Sequence, residues 1–220
     1  MRDILRLSAA AALCAALSPT IANAAEDGPW TGLHAGVNLG YGDYTATWND
    51  ENYDWYGGGL VFRSQGFIPG VQVGYDHQFG SLVLGAAFDW DRPAINASFR
   101  YADDDNVENN AKEIRTLRLR AGLTIERTLV YATVGISKGK FEHQWEEDND
   151  PTDSWPRFIN DRTGHALGMG VEQLVGEAFS IRAELLTYTF KEIESTNEDG
   201  FTMRVKDEIL AARLGASYRF

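Results

Sequence analysis

From Trp30 onward, apolar and polar residues trade places at every second position through eight stretches of about ten residues. That is the period of a β-strand, and no 3.6-residue repeat competes with it. The first stretch, residues 31–43, sets Leu33, Ala35, Val37, Leu39 and Tyr41 against His34, Gly36, Asn38, Gly40 and Gly42. Residues 67–78 oppose Val71, Val73 and Tyr75 to Gln72, Gly74 and Asp76, and residues 81–91 oppose Leu82, Leu84, Ala86, Phe88 and Trp90 to Gly85 and Asp89. Residues 114–126 carry Leu117, Leu119, Ala121, Leu123 and Ile125 on one face and Thr116, Arg118, Arg120, Gly122 and Thr124 on the other. The pattern continues through 129–140, 164–173 (Leu167, Met169 and Val171 against Gly168, Gly170 and Glu172) and 180–191 (Ile181, Ala183 and Leu185 against Arg182 and Glu184). Beyond Leu186 it blurs, where a bulge is expected. Residues 208–220 close the series, with Leu210, Ala212, Leu214, Ala216, Tyr218 and Phe220 opposite Arg213, Gly215, Ser217 and Arg219.

The connections alternate in length. Short turns near Gly80, Arg127 and Gly176 are interleaved with long polar segments at 44–65, 92–113, 141–163 and 192–207. An up-and-down antiparallel sheet with both ends on one side produces this alternation, and strands of about ten residues tilted by ~40° cover an apolar band of ~25 Å. A soluble barrel would turn its apolar face inward and its charged face outward. Here the polar face is rich in Gly, Asn, Gln, Arg and acids and almost free of Lys. Glycines there make room for long side chains inside a narrow barrel and would be poor solvent-facing residues. The expected fold is therefore all-β: an eight-stranded antiparallel up-and-down transmembrane β-barrel, apolar side to lipid and polar side to the lumen.

The N-terminus adds a second element. Arg2 and Arg6 precede an apolar run from Leu7 to Leu17, broken by Ser18, Pro19 and Thr20, and Ala22-Asn23-Ala24 offers small residues for cleavage. This reads as a cleavable signal peptide at 1–24, cut between Ala24 and Ala25, with the barrel domain at 25–220. The run is too short for a membrane-spanning helix, which takes roughly 20 apolar residues. Cys14, the single cysteine, falls inside that segment, which leaves the barrel without thiol, disulfide or Cys-based metal site. The formal charge of −12 disfavours nucleic acid as a partner. An apolar fraction of 44% with 12% aromatics excludes a disordered acidic chain.

Several of these stretches are recognisable. Trp30-Thr31-Gly32-Leu33-His34-Ala35-Gly36 running to Gly40-Tyr41-Gly42, Gly70-Val71-Gln72-Val73-Gly74-Tyr75-Asp76 with Leu84-Gly85-Ala86, Leu117-Arg118-Leu119-Arg120-Ala121-Gly122 with Leu129-Val130-Tyr131-Ala132, and Gly168-Met169-Gly170-Val171-Glu172 with Arg182-Ala183-Glu184 follow one another in order. This series resembles the small outer-membrane β-barrel family of Gram-negative bacteria, the porin-family surface antigens similar in fold to the OmpA barrel. The resemblance implies location in the outer membrane, with the lipid bilayer and lipopolysaccharide as neighbours. The terminal Ala216-Ser217-Tyr218-Arg219-Phe220 resembles the signal read by the outer-membrane assembly machinery, carried by Tyr218 and Phe220. No periplasmic peptidoglycan-binding domain follows the barrel, so a cell-wall tether is not implied.

Candidate chemistry lies in the lumen and the loops. Arg118, Arg120, Arg182 and Arg213 share the inferred lumen with Glu172, Glu184 and Asp89, and buried charges persist only when paired. An interior network follows, with two roles open to it: a plug filling a narrow barrel, or the lining of a small selective pore. The acidic runs Asp103-Asp104-Asp105 and Glu146-Glu147-Asp148-Asn149-Asp150 lack EF-hand spacing and read as hydrated surface rather than calcium sites. Trp48, Tyr53, Trp55, Tyr56, Trp145 and Trp155 belong to the segments read as loops, as an adhesive patch open to an extracellular ligand or as interfacial aromatics. Trp30, Tyr75, Trp90, Tyr218 and Phe220 are assigned to the interfacial girdles. His34, His77, His143 and His165 have no serine two places away, no His-Glu-x-x-His motif occurs, and the Gly-x-Ser-x-Gly match at Gly135-Ile136-Ser137-Lys138-Gly139 falls inside an alternating stretch and not at the strand-to-helix turn that a nucleophile elbow needs. The expectation is a non-catalytic, cofactor-free barrel with a structural and surface-interaction role. A small low-conductance porin comes second, and a lipid-modifying enzyme third.

Overall fold

A computed structural model describes residues 28–50, 60–101, 105–147, 155–196 and 202–220. The segment read as a signal peptide with Ala24 and Ala25, loop residues Tyr53, Trp55 and Tyr56, and the acidic positions Asp103, Asp104, Asp148 and Asp150 lie outside the described residues. So do the side chains of Asp105, Trp145, Glu146, Glu147 and Trp155.

Ten strands follow in order: β1 (Gly32–Asp50), β2 (Leu60–Phe79), β3 (Leu82–Asp91), β4 (Ile95–Tyr101), β5 (Asp105–Ile125), β6 (Thr128–Glu147), β7 (Trp155–Val175), β8 (Phe179–Phe190), β9 (Ile193–Thr196) and β10 (Thr202–Arg219). They make eight staves. β3 and β4 form one stave interrupted around Pro93, which lacks the N–H that a ladder needs. The flanking Arg92 and Ala94 amides still donate to the Pro69 and Phe67 carbonyls on β2. β8 and β9 form another, interrupted at Lys191 and Glu192. Every pairing is antiparallel between neighbours, and β1 pairs with β10 from His34↔Arg219 to Asp50↔Met203, which closes the sheet into a ring.

Three tight turns join staves at one end. Gly80 and Gly176 take φ of 60° and 70°, the left-handed region that glycine enters without a Cβ clash. Glu126 takes φ 53° without that freedom.

The staves are much longer than the alternation indicates. β2, β5, β6 and β7 run 20 or 21 residues, which at ~3.3 Å per residue and ~40° tilt rises about 50 Å, roughly twice the apolar band of such a barrel. Large parts of the segments read as loops are thus strand. The reason is an inversion of chemistry at constant geometry. On β1 the outward positions Leu33, Val37, Leu39 and Tyr41 are exposed and apolar, whereas higher up Asp43, Thr45, Thr47 and Asn49 face out and Tyr44, Ala46 and Trp48 face in. Below the crossing the barrel is apolar outside, as lipid requires; above it the pattern is that of a soluble barrel in water.

The same crossing explains the blurred seventh stretch. Pairing of β8 with β7 and β10 runs without a register shift, so no bulge occurs at Leu186. Instead the inward residues change from Arg182 and Glu184 to Leu186, Tyr188 and Phe190. The register does shift elsewhere, between Ala111 and Glu113 and between His143 and Trp145.

Candidate functional site

The barrel interior is filled in three layers. At the turn end a small apolar floor consists of Trp30, Val83, Leu129 and Leu174 beside Tyr131. Trp30 is fully buried there, under the Arg219 guanidinium at 5.1 Å from its ring, and so is no interfacial girdle residue. Tyr75, Trp90 and Tyr218 do face outward.

Above the floor lies a polar middle. Seven side chains inferred to face the lumen (Asp89, Arg118, Arg120, Glu172, Arg182, Glu184 and Arg213) are all buried in it. Arg118 donates through Nε to Asp89 Oδ2 at 2.7 Å and through Nη1 to Glu184 Oε1 at 2.9 Å. Arg213 holds Glu184 Oε2 through Nε and Nη2 at 2.8 and 2.6 Å and reaches Asp89 at 3.1 Å. Arg182 Nε lies 3.5 Å from Glu184 Oε2, and its Nη1 donates to Ser217. Glu184 is the hub, because Tyr131 also donates to it at 2.7 Å.

A second knot sits nearer the floor. Arg120 donates to Asp76 Oδ1 at 2.6 Å and to Glu172 Oε2 at 2.7 Å, while Ser180 donates to Glu172 Oε1 at 2.6 Å. Arg219 adds a 3.0 Å bond to Asp76, and His34 Nε2 stands 3.4 Å from the same carboxylate. The Tyr131 ring, 5.1 Å from the Arg120 guanidinium, joins the two knots.

Arg118, Arg120, Arg182, Arg213 and Arg219 are matched one for one by Asp76, Asp89, Asp91, Glu172 and Glu184, all buried. That balance is what lets charges persist away from bulk solvent. Asp76, Asp91 and Arg219 were missed as network members, although Asp76 and Arg219 stand on the polar faces of their stretches.

Glycine supplies the space. A Cβ on Gly70 would lie 1.9 Å from Asp91 Oδ1, one on Gly85 2.0 Å from Asp76 Oδ1, and one on Gly215 2.8 Å from the Arg182 guanidinium.

Over the polar middle sits an apolar ceiling: Tyr44, Trp48, Phe62, Ile95, Ile114, Phe141, Tyr188, Phe190 and Ile209 form one buried cluster. Phe141 packs edge-on against Phe190 at 4.7 Å. One polar chain threads it. Arg162 donates to Asp207, Tyr44 Oη donates to the same carboxylate, and His143 bridges Arg162 and Asn109, which also accepts from Trp48 Nε1 at 3.0 Å. These residues lay in segments read as polar loops, so alternation gave no sign that they face inward.

With this geometry in view, the comparisons are decisive. A family model described as outer membrane protein beta-barrel domain matches residues 9–220. The chain belongs to that family. It is an outer-membrane β-barrel, and the lipid-facing assignment of its apolar face follows. The 31 kDa outer-membrane immunogenic proteins of Brucella melitensis and Brucella suis are each 27% identical over 201 residues, covering 87% of this chain and 84% of theirs. Among solved structures, the outer membrane protein AlkL in lipid bilayers is 16% identical, with a TM-score of 0.51, covering 92% of this chain and 96% of that one, a likeness of fold.

Proposed function

We propose that this barrel is a closed, non-catalytic outer-membrane protein whose role is structural and surface-interactive. The single observation that carries the reading is the filled interior, in which a charge-balanced polar layer lies between an apolar floor and an apolar ceiling. A conducting lumen needs a continuous wet path, and the ceiling of Trp48, Phe62, Phe141 and Phe190 interrupts it. The network of Arg118, Arg120, Glu172, Arg182, Glu184, Arg213 and Asp89 then holds staves together across the barrel rather than selecting solutes.

Two further assignments belong to the same reading. Removal of residues 1–24 between Ala24 and Ala25 would deliver the barrel for export. Tyr218 and Phe220, whose rings meet edge-on at 4.9 Å, would present the aromatic signal to the assembly machinery. The loop-bearing rim would meet extracellular ligands, and lipopolysaccharide would pack around the wall.

The test is single-channel recording of the refolded chain in a planar bilayer, with folding scored by heat-modifiability on a gel. A folded, inserted and silent protein is the expected result. Reproducible current steps of one size would replace this reading with a small pore.

A further inference from the structure

The outer wall is not uniform where the apolar band ends. On β1, β8 and β10 the first outward residues above the band are Asp43, Thr187 and Glu208. The cations higher on β10 are paired, Arg204 with Glu194 at 3.1 Å and Lys206 with Glu208 at 3.1 Å. The sector built by β3, β5 and β6 differs. Arg115 stands directly opposite Lys138 on one side and Trp90 on the other. The Arg92 guanidinium lies 5.5 Å from the Trp90 ring centroid.

Arg92, Arg115 and Lys138 are all exposed. Arg115 and Lys138 share one row with Trp90, which at ~4.8 Å between strands spans about 10 Å, and Arg92 follows two residues above Trp90 on the same stave. Immediately below, the register aligns Phe88 with Leu117 and Leu117 with Ile136, all exposed to lipid.

Like charges placed directly opposite one another in an antiparallel pair repel. Arg115 has a carboxylate beside it, Glu113 on its own strand. Lys138 has no carboxylate partner among the described residues, and Thr163 is its neighbour on β7. Higher up, Lys140 stands in register between Glu113 and Asp161. A chain of net charge −12 thus sets three cations, Arg92, Arg115 and Lys138, against the one carboxylate of Glu113 paired among them, at the level where its lipid-facing surface meets water. That level is where headgroups lie. Guanidinium groups bind phosphate through paired N–H donors, and an ammonium group supplies a compact charge beside them.

We propose that Arg92, Arg115 and Lys138, with Trp90 as their platform, bind the phosphates of an acylated glycolipid anchored in the outer leaflet. Its chains lie against Phe88, Leu117 and Ile136. The proposal rests on the outer-membrane placement with the long strands outward, and adds to it a defined site on one sector of the wall.

The experiment is native mass spectrometry of the refolded full chain in detergent with bis-phosphorylated lipid A. The native sequence is compared with Arg92→Gln/Arg115→Gln/Lys138→Gln and with Arg204→Gln/Lys206→Gln on the other side of the barrel. The native chain and the second variant should retain one lipid through detergent removal, and the triple variant should retain at least tenfold less. Dephosphorylated lipid A should be held poorly by all three, and millimolar inorganic phosphate should not displace the bound lipid.

Equal retention by the triple variant would overturn the site. Undiminished retention of the dephosphorylated lipid would overturn the role of phosphate. Displacement by inorganic phosphate would make the site one for the free ion and not for an anchored lipid. Heat-modifiability of the same samples separates these failures from that of the placement itself, since a chain that never forms the barrel would show no folded band.

Discussion

The sharpest contrast between residues is that between Glu184 and Glu208. Both are glutamates on neighbouring staves with a cation at hand. Glu184 is buried and receives hydrogen bonds from Arg118, Arg213 and Tyr131, whereas Glu208 meets Lys206 in solvent, with both side chains more than a third exposed. Removing one member of a buried ion cluster leaves the others charged and unpaired, so Glu184→Ala is expected to destabilise the barrel by about 3–5 kcal/mol. Glu208→Ala should change stability by less than ~1 kcal/mol, because an exposed pair is screened. Urea unfolding from lipid vesicles, followed by tryptophan emission, reads both. At the turn between β5 and β6, Glu126 holds a left-handed backbone at φ 53° that disfavours any side chain. Glu126→Gly should therefore raise stability, by up to about 1 kcal/mol in the same assay.

Each long stave carries two environments with one register. On β10 the outward residues from Leu210 to Tyr218 face lipid, and Glu208 and Lys206 above them face water. Leu214, at the middle of the lipid-facing stretch and 68% exposed, defines the expected midplane. Leu214→Arg should cost about 2–4 kcal/mol, the depth-dependent penalty for a cation facing hydrocarbon. Thr45→Arg on the extension of β1, opposite Glu208 in the register, should be tolerated within ~0.5 kcal/mol. Comparable losses at both positions would mean that the band is misplaced. The inversion also explains what strand-by-strand reading achieved. Apolar-out alternation located each stave's lipid-facing part. It failed above Tyr41, Phe67, Leu117 and Ile136, because a reader following apolar positions sees the face change and ends the strand, although the backbone pairing continues.

For the molecule as a whole, the proposed closed barrel makes floor, polar middle and ceiling seals in series. Phe141→Ala should open a void in the ceiling at a cost of about 3–5 kcal/mol and yet leave planar bilayers silent, because the Arg and carboxylate layer beneath remains packed. Current steps from this single variant would make the ceiling the only gate. How much of this was legible in the sequence follows from the reach of alternation. Period-two patterning specifies a face locally, so the chain by itself determined the eight-stave count, the positions of the tight turns, the lipid-facing surface and the polar residues opposite it, Arg118, Arg120, Glu172 and Glu184 among them. It could not specify partners, since Arg120 meets Asp76 and Glu172 from strands distant in the chain, and only closure of β1 onto β10 brings Arg219 into the same knot. Nor could it reveal the ceiling, because Trp48, Phe62 and Phe141 are apolar residues scattered through polar segments, and Phe190 sits where its stretch blurs, until eight staves enclose a space they can fill. Facing is a property of a strand and can be read along it. Pairing and filling are properties of the closed ring, and only the tertiary structure decided them.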